Sequence, residues 1–180
     1  MEIRLLRLPA LVALLVIILA AAAPAPAPAS STPAPTPRQI RTAVRNAERS
    51  NNLWATVNIC NTKNHPNTIG IRGQMPTLGF ATKLRMQFRV QYWTGKAFTP
   101  VRGVSKTITL GPAVHGVYQA GVRFPFAPSP QAELLRGSVS LEWRMGSTRV
   151  ARVTRSTRKG HPDADFGDPE RFSSGVCVIP

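Results

Sequence analysis

Alternation of apolar and polar residues dominates the chain from residue 53 onward. In segment 83–93, Leu84, Met86 and Phe88 alternate with Lys, Arg and Gln. A period of two predicts a strand with one buried face and one polar, basic face, as in an antiparallel sheet that is wet on one side. Segment 138–145 repeats the pattern, and Gly146-Ser147 behind it predicts a hairpin turn.

Shorter apolar segments between turn-forming residues complete this pattern. We predict strands over residues 53–60, 68–72, 83–93, 104–110, 116–124, 138–145, 148–157 and 174–179. Residues 38–49 differ, because their apolar positions recur at helical spacing and predict a short basic helix or helical turn. These short strands separated by turns predict an all-β fold, a single immunoglobulin-like antiparallel β-sandwich.

The beginning of the chain has a different pattern. Arg4 and Arg7 precede an apolar run over 8–23, and a Pro/Ala-rich stretch follows over 24–37. This order predicts a secretory signal peptide. Signal peptidases need small residues before the cut and tolerate proline poorly after it. We therefore predict cleavage after Ala29, where small residues precede the cut and Ser30 follows it. An uncleaved membrane anchor is the alternative.

The predicted organisation therefore has three parts. Residues 1–29 form the signal peptide, and residues 30–50 form a disordered Pro/Ala-rich linker and a short basic helical turn. Residues 51–180 form the sandwich, which is long enough for one hydrophobic core. The protein is expected to be secreted or to lie in the cell envelope.

Two cysteines, Cys60 and Cys177, are most simply one disulfide in an exported chain, although pairing between two molecules is an alternative. Ala55, Val57 and Ile59 are the predicted inward positions of the first strand. Stepping by two then sends Cys60 outward, unless a bulge intervenes. We expect the bridge near a sheet edge or the rim of the sandwich.

Charge adds a candidate binding surface, because 23 Lys and Arg residues against 8 Asp and Glu give a formal net charge of +15. Arginine-rich sheet faces attract polyanions. The candidate polyanion-binding residues are Lys83, Arg85, Arg89, Arg144, Arg152 and Arg158. A basic face that is merely solvated is the alternative. Nucleic acid is an unexpected ligand, since Trp93 is the one aromatic residue predicted beside these cations.

An acidic segment forms the second candidate site. Half of the acidic residues fall in one predicted loop, at Asp163, Asp165, Asp168 and Glu170. Oxygen ligands on a flexible loop suit calcium, whereas local ion pairs with neighbouring arginines would explain the same residues without a metal. No cofactor is expected.

Catalytic signatures are absent from the sequence. His65, His115 and His161 lie in predicted loops without metal-binding spacing, and no nucleophile elbow occurs. The sequence therefore predicts a protein that is not an enzyme. The alternative is a secreted hydrolase or enzyme accessory domain, with a site built by loops that carry His65, His161 and the acidic residues.

Four groups of residues carry a family resemblance. They are Asn58-Ile59-Cys60, the strand Leu84–Val90, the strand Val139–Arg144, and a tail with Thr157, Gly160, Asp168-Pro169 and Phe172-Ser173 before Cys177. Through these, the chain resembles small secreted bacterial proteins with an immunoglobulin-like or fibronectin type III-like sandwich. The resemblance implies this fold and a disulfide from the first strand to the last, but no common activity.

The functional expectation is a secreted, non-catalytic module. It would act in adhesion or bind an anionic polymer of the cell envelope, with another envelope protein as an alternative partner. Contact with a membrane is expected only if the N-terminal segment stays uncleaved.

Overall fold

The computed structural model describes residues 33–180. The predicted signal peptide, residues 1–29, lies outside the described residues. The described part contains one α-helix and eight β-strands. They are α1 (Pro37–Arg49), β1 (Trp54–Cys60), β2 (Thr68–Pro76), β3 (Thr82–Trp93), β4 (Phe98–Ala113), β5 (Val117–Pro125), β6 (Glu133–Met145), β7 (Thr148–Ser156) and β8 (Cys177–Ile179).

Helix α1 begins at a reciprocal cap. The Thr36 hydroxyl accepts a hydrogen bond from the Gln39 amide at 3.3 Å, and the Gln39 side chain accepts one from the Thr36 amide at 2.7 Å. Pro37 occupies the first turn, where its missing N–H costs nothing. Ala47 is buried against the sandwich, so the predicted helical turn is a complete helix with one packed side.

Two antiparallel sheets pack as a sandwich. The three-stranded sheet has the order β1-β2-β5, and the five-stranded sheet has the order β4-β3-β6-β7, with β8 paired to β6. Trp143 and Phe88 are the largest fully buried side chains. The Trp143 indole also donates a hydrogen bond to the Pro76 carbonyl at 2.8 Å, which ties the two sheets together. The predicted all-β sandwich is thus confirmed.

Several strands are longer than the sequence predicts. Strand β4 spans Phe98–Ala113 instead of 104–110, and β6 begins at Glu133 instead of residue 138. Strand β3 supports both extensions in part, because its twelve residues pair with β4 on one side and with β6 from Leu135 onward on the other. The first residues of β6 pair with β8 instead. Strand β4 accommodates Pro100 because it is an edge strand that pairs only with β3.

A bulge in β1 changes which residues face the core. Val57 lies opposite Ile71, but Ile59 then lies opposite Gly70, so Asn58 is the extra residue. The inward position predicted for Ile59 is therefore wrong. A Cβ atom on Gly70 would lie 2.7 Å from the Ile59 Cβ atom, so only glycine lets the two strands approach here. After the bulge, Cys60 turns toward the core.

The predicted disulfide between Cys60 and Cys177 is confirmed, with the two Cα atoms 5.3 Å apart. Cys60 ends β1 in the three-stranded sheet, and Cys177 begins β8 in the five-stranded sheet. The bond therefore joins the two sheets at their edges. Cys177 is only 1% exposed, whereas Cys60 is half-buried, so the bond is shielded mainly on its Cys177 side.

The segment between β7 and β8, residues 157–176, covers the outer side of β1; we call it the outer loop. The hydroxyls of Thr56 and Ser173 are 2.8 Å apart, and the Asn58 side-chain amide donates to the Asp165 carbonyl at 2.9 Å. Strand β1 is consequently buried on both faces. Among residues 33–180, no such segment covers the outer side of the five-stranded sheet, where Lys83 and Arg89 are exposed, and we call this side the open face of the sandwich.

Candidate functional site: an open basic sheet face

The register of three strands gathers cations on the open face. Arg85 of β3 lies opposite Glu142 of β6, which in turn lies opposite Arg152 of β7. Lys83 begins a second row, paired with Arg144. Directly opposed residues project to the same side of an antiparallel sheet. We define the basic face as Lys83, Arg85, Arg89, Arg136, Arg144, Arg149 and Arg152.

The structure brings five of the six predicted polyanion-binding residues to this face and leaves one outside. Arg158 follows the end of β7, and its backbone amide donates a hydrogen bond to the Ala55 carbonyl of β1 at 2.9 Å. This bond directs the chain away from the five-stranded sheet and into the outer loop. Arg158 and Arg152 therefore do not share a face.

Two members of the basic face, Arg136 and Arg149, were missed from the sequence. Arg136 lies before the predicted start of β6, and it pairs with Gln91 of β3. Arg149 pairs with Arg144 across the hairpin. The predicted two-residue turn at 146–147 already contains this second pairing, because residues that flank a hairpin at equal distance oppose one another. The longer β6 was not apparent, because residues 133–137 lack strict alternation.

A shallow depression of about 130 Å³ lies within the basic face. Its lining residues are Arg85, Gln87, Ser140, Glu142, Arg144, Arg149 and Arg152. The Glu142 carboxylate forms a hydrogen-bonded ion pair with Arg144, and its Oε1 atom lies 3.9 Å from a terminal nitrogen of Arg85. The Glu142 side chain is only 7% exposed, so this carboxylate lies below a layer of guanidinium groups.

Hydrogen bonds also hold Arg152 in place. Its Nε atom donates to the Ser140 hydroxyl at 2.9 Å, and that hydroxyl is 2.9 Å from the Thr154 hydroxyl. A guanidinium group has five N–H donors, so an arginine held by one or two bonds retains donors that can reach an anion. The arrangement can therefore bind negatively charged groups.

An aromatic pair borders the basic face at the far end of β3. The rings of Trp93 and Phe98 are 5.0 Å apart and tilted by 55°. The Arg136 guanidinium lies 4.1 Å from the centre of the Phe98 ring and donates to the Gln91 side chain at 2.7 Å. From Lys83 to Trp93 the strand spans roughly 33 Å. A long chain molecule could thus contact cations and an aromatic surface together.

The acidic candidates lie on the other side of the sandwich, in the outer loop. Within residues 33–180, no three His, Cys, Asp or Glu side chains are grouped closely enough to hold a metal ion. The Asp168 carboxylate instead accepts a hydrogen bond from Thr62, and the Asp163 carbonyl accepts one from Gln119 at 3.1 Å. The structure therefore does not assemble Asp163, Asp165, Asp168 and Glu170 into a calcium site.

The histidines of the alternative hydrolase site lie apart. His161 stacks on Trp54, with 4.5 Å between ring centres, at the start of β1. His65 contacts Arg123 at 3.5 Å, beyond the other end of β1. The two ends of β1, Trp54 and Cys60, are six residues apart in an extended strand and thus roughly 20 Å from each other. Burial lowers the pKa of His161, and the Asp163 carboxylate opposes this shift only in part.

Comparison with protein-family models gives no match, and comparison with curated proteins gives none either. No helix within residues 33–180 is long and apolar enough to cross a membrane.

Proposed function

We propose that this protein is a secreted, non-catalytic β-sandwich module that binds an anionic polymer of the cell envelope through its basic face. The observation that carries the proposal is the register of β3, β6 and β7. It gathers seven cations on an open surface, with Glu142 as the carboxylate between them. Each anionic group that binds there releases counterions, which favours association with a polyanion.

We also propose that the sandwich is immunoglobulin-like, of the fibronectin type III-like kind. The strand order supports this, because β4 pairs with β3 in the second sheet. In a constant-type immunoglobulin domain, the fourth strand joins the sheet of the first, second and fifth strands instead. The three-residue strand β8 is an addition beside β6.

Secretion is supported by the N-terminal sequence pattern and by the disulfide, since such bonds persist mainly in oxidising compartments. Adhesion through another envelope protein would use the same open face. A loop-built hydrolase site has no comparable support, because His65 and His161 contact different residues at opposite ends of β1.

The proposal can be tested by sedimentation of the purified protein with isolated bacterial cell wall at increasing salt. The test variant is Lys83→Glu/Arg89→Glu, and both residues are exposed on the basic face. The matched control is Arg41→Glu/Lys63→Glu, with one exposed arginine on α1 and one exposed lysine in a loop. Both double variants change the net charge equally.

We expect wild type and control to bind at low salt and to be released at high salt, whereas the test variant binds weakly throughout. The negative slope of log K, where K is the association constant, against log[salt] should become shallower by about 2 in the test variant, one unit for each lost contact. Absence of wild-type binding at low salt would refute the proposed function. An equal loss in the control would show that net charge, and not this face, drives binding.

A further inference from the structure

We infer that the depression around Glu142 is a subsite for a tetrahedral oxyanion, namely a phosphate or sulfate ester group carried by the polymer. The inference rests on the proposed function, because it names the chemical group that the basic face recognises. It adds a specific site to what could otherwise be a diffuse charged surface.

Guanidinium groups from three strands converge at this depression. Arg85 comes from β3, Arg144 from β6, and Arg149 and Arg152 from β7. Their shared depression has a volume of about 130 Å³, well above the ~10–15 Å³ that one water molecule needs. An oxyanion could occupy this space and accept hydrogen bonds from several sides.

Glu142 lies beneath this layer of guanidinium groups and organises it. Its carboxylate engages Arg144 and approaches Arg85, but Arg152 is held instead by Ser140 and, at 3.4 Å, by Gln87. The carboxylate thus offsets the repulsion among arginines while leaving N–H donors for a ligand. Glu142 is a positioning residue in this site.

The charge and shape of the depression favour a tetrahedral ligand over a planar one. Four arginines and one carboxylate line the depression, which leaves three net positive charges. A carboxylate ligand has two oxygens in one plane and is satisfied by a single guanidinium fork. A phosphate or sulfate group distributes three or more oxygens around its centre, so it can accept donors from all three strands.

The test is a calorimetric titration of the folded protein with methyl phosphate, methyl sulfate and acetate at constant ionic strength. The variants are Arg149→Gln and Arg152→Gln, because both side chains are exposed and their loss should leave the fold intact. Arg41→Gln, on α1, is the matched control. The two esters distinguish a phosphorylated polymer from a sulfated one.

We expect at least one ester to bind more tightly than acetate. Each test variant should weaken that ester about tenfold, the effect of losing one charge-assisted hydrogen bond. The control should leave its affinity unchanged. Equal affinity for acetate and the esters, absence of ester binding, or an equal loss in Arg41→Gln would overturn the subsite.

Glu142→Gln gives a second measurement that charge alone does not explain. Removing the carboxylate should raise the affinity for every anion but reduce the ratio of ester to acetate affinity, because the arginines lose their fixed arrangement. An unchanged ratio would refute the positioning role. Cell-wall binding without ester binding would refute the subsite and leave the proposed function standing. Ester binding without cell-wall binding would refute the proposed function and leave an anion-binding site.

Discussion

Removal of the disulfide should destabilise the fold without disrupting the basic face. The perturbation is the double variant Cys60→Ala/Cys177→Ala, with reduction of the wild type as an independent route. The two cysteines are 117 residues apart in the sequence. In the chain-entropy model, closing a loop of this length stabilises the folded state by about 5 kcal/mol at 25 °C.

A loss of this size is large for a small domain, whose total free energy of unfolding is typically about 5–15 kcal/mol. At roughly 2–4 °C per kcal/mol, the melting temperature should decrease by about 10–20 °C. Strand β8 should loosen first, because only three residue pairs join it to β6. The other seven strands keep their partners, so the β signal should persist at 25 °C.

Urea and thermal unfolding followed by far-ultraviolet circular dichroism would measure both quantities. The salt-dependent cell-wall assay provides the control, since the three residues of β6 that pair with β8, Glu133–Leu135, are not part of the basic face. A loss below about 1 kcal/mol would refute the entropic argument. Complete loss of the β signal at 25 °C would refute the expectation that the two sheets hold together by their packing.

Two further changes probe the packing. Gly137→Ala should lower the free energy of unfolding in urea by about 1–3 kcal/mol, since its Cβ atom would lie 2.8 Å from Ile71 of the facing sheet. The control is Gly111→Ala, whose Cβ atom would meet nothing within 4 Å and should change stability by less than about 0.5 kcal/mol. Equal effects of the two substitutions would contradict this reasoning. Because burial lowers the pKa of His161 in the folded state, the unfolded state binds the proton more tightly. The contribution of neutral His161 to folding stability is therefore complete above its unfolded pKa of about 6.5, and it is lost as the pH falls through the folded pKa. His161→Phe should keep a ring stacked on Trp54 and reduce the change in the urea midpoint between about pH 7.5 and 5. A pH dependence of the midpoint identical to that of wild type would exclude His161 as its source.

Local periodicity made the central strands predictable, but not how their neighbours pair with them. Alternation placed Lys83, Arg85 and Arg89 on one side of β3 because side-chain direction is a property of each residue's own strand. The depression depends on register, which pairs β3 with a β6 longer than its pattern suggests. The contribution of Arg149 follows from the hairpin turn, which the sequence does contain.

For the acidic segment, in contrast, composition alone gave a misleading prediction. Its composition resembles that of a metal-binding loop, but composition does not show which groups are already occupied. In the structure, the Asn58 side chain takes the Asp165 carbonyl, and Thr62 takes the Asp168 carboxylate. These partners are about a hundred residues away in sequence. The bulge at Asn58, which brings Cys60 inward, likewise depends on the partner strand and not on β1 alone.

The cover on β1 has a consequence for the order of folding during synthesis. Strand β1 is made early, but the residues that shield its outer side, Asp165 and Ser173, are translated more than a hundred residues later. Until they emerge, one side of β1 stays uncovered and Cys60 has no partner. The native state therefore cannot close on a nascent chain that lacks the outer loop. Such a delay would leave the chain unfolded during synthesis, a state that suits the proposed secretion through a translocation channel.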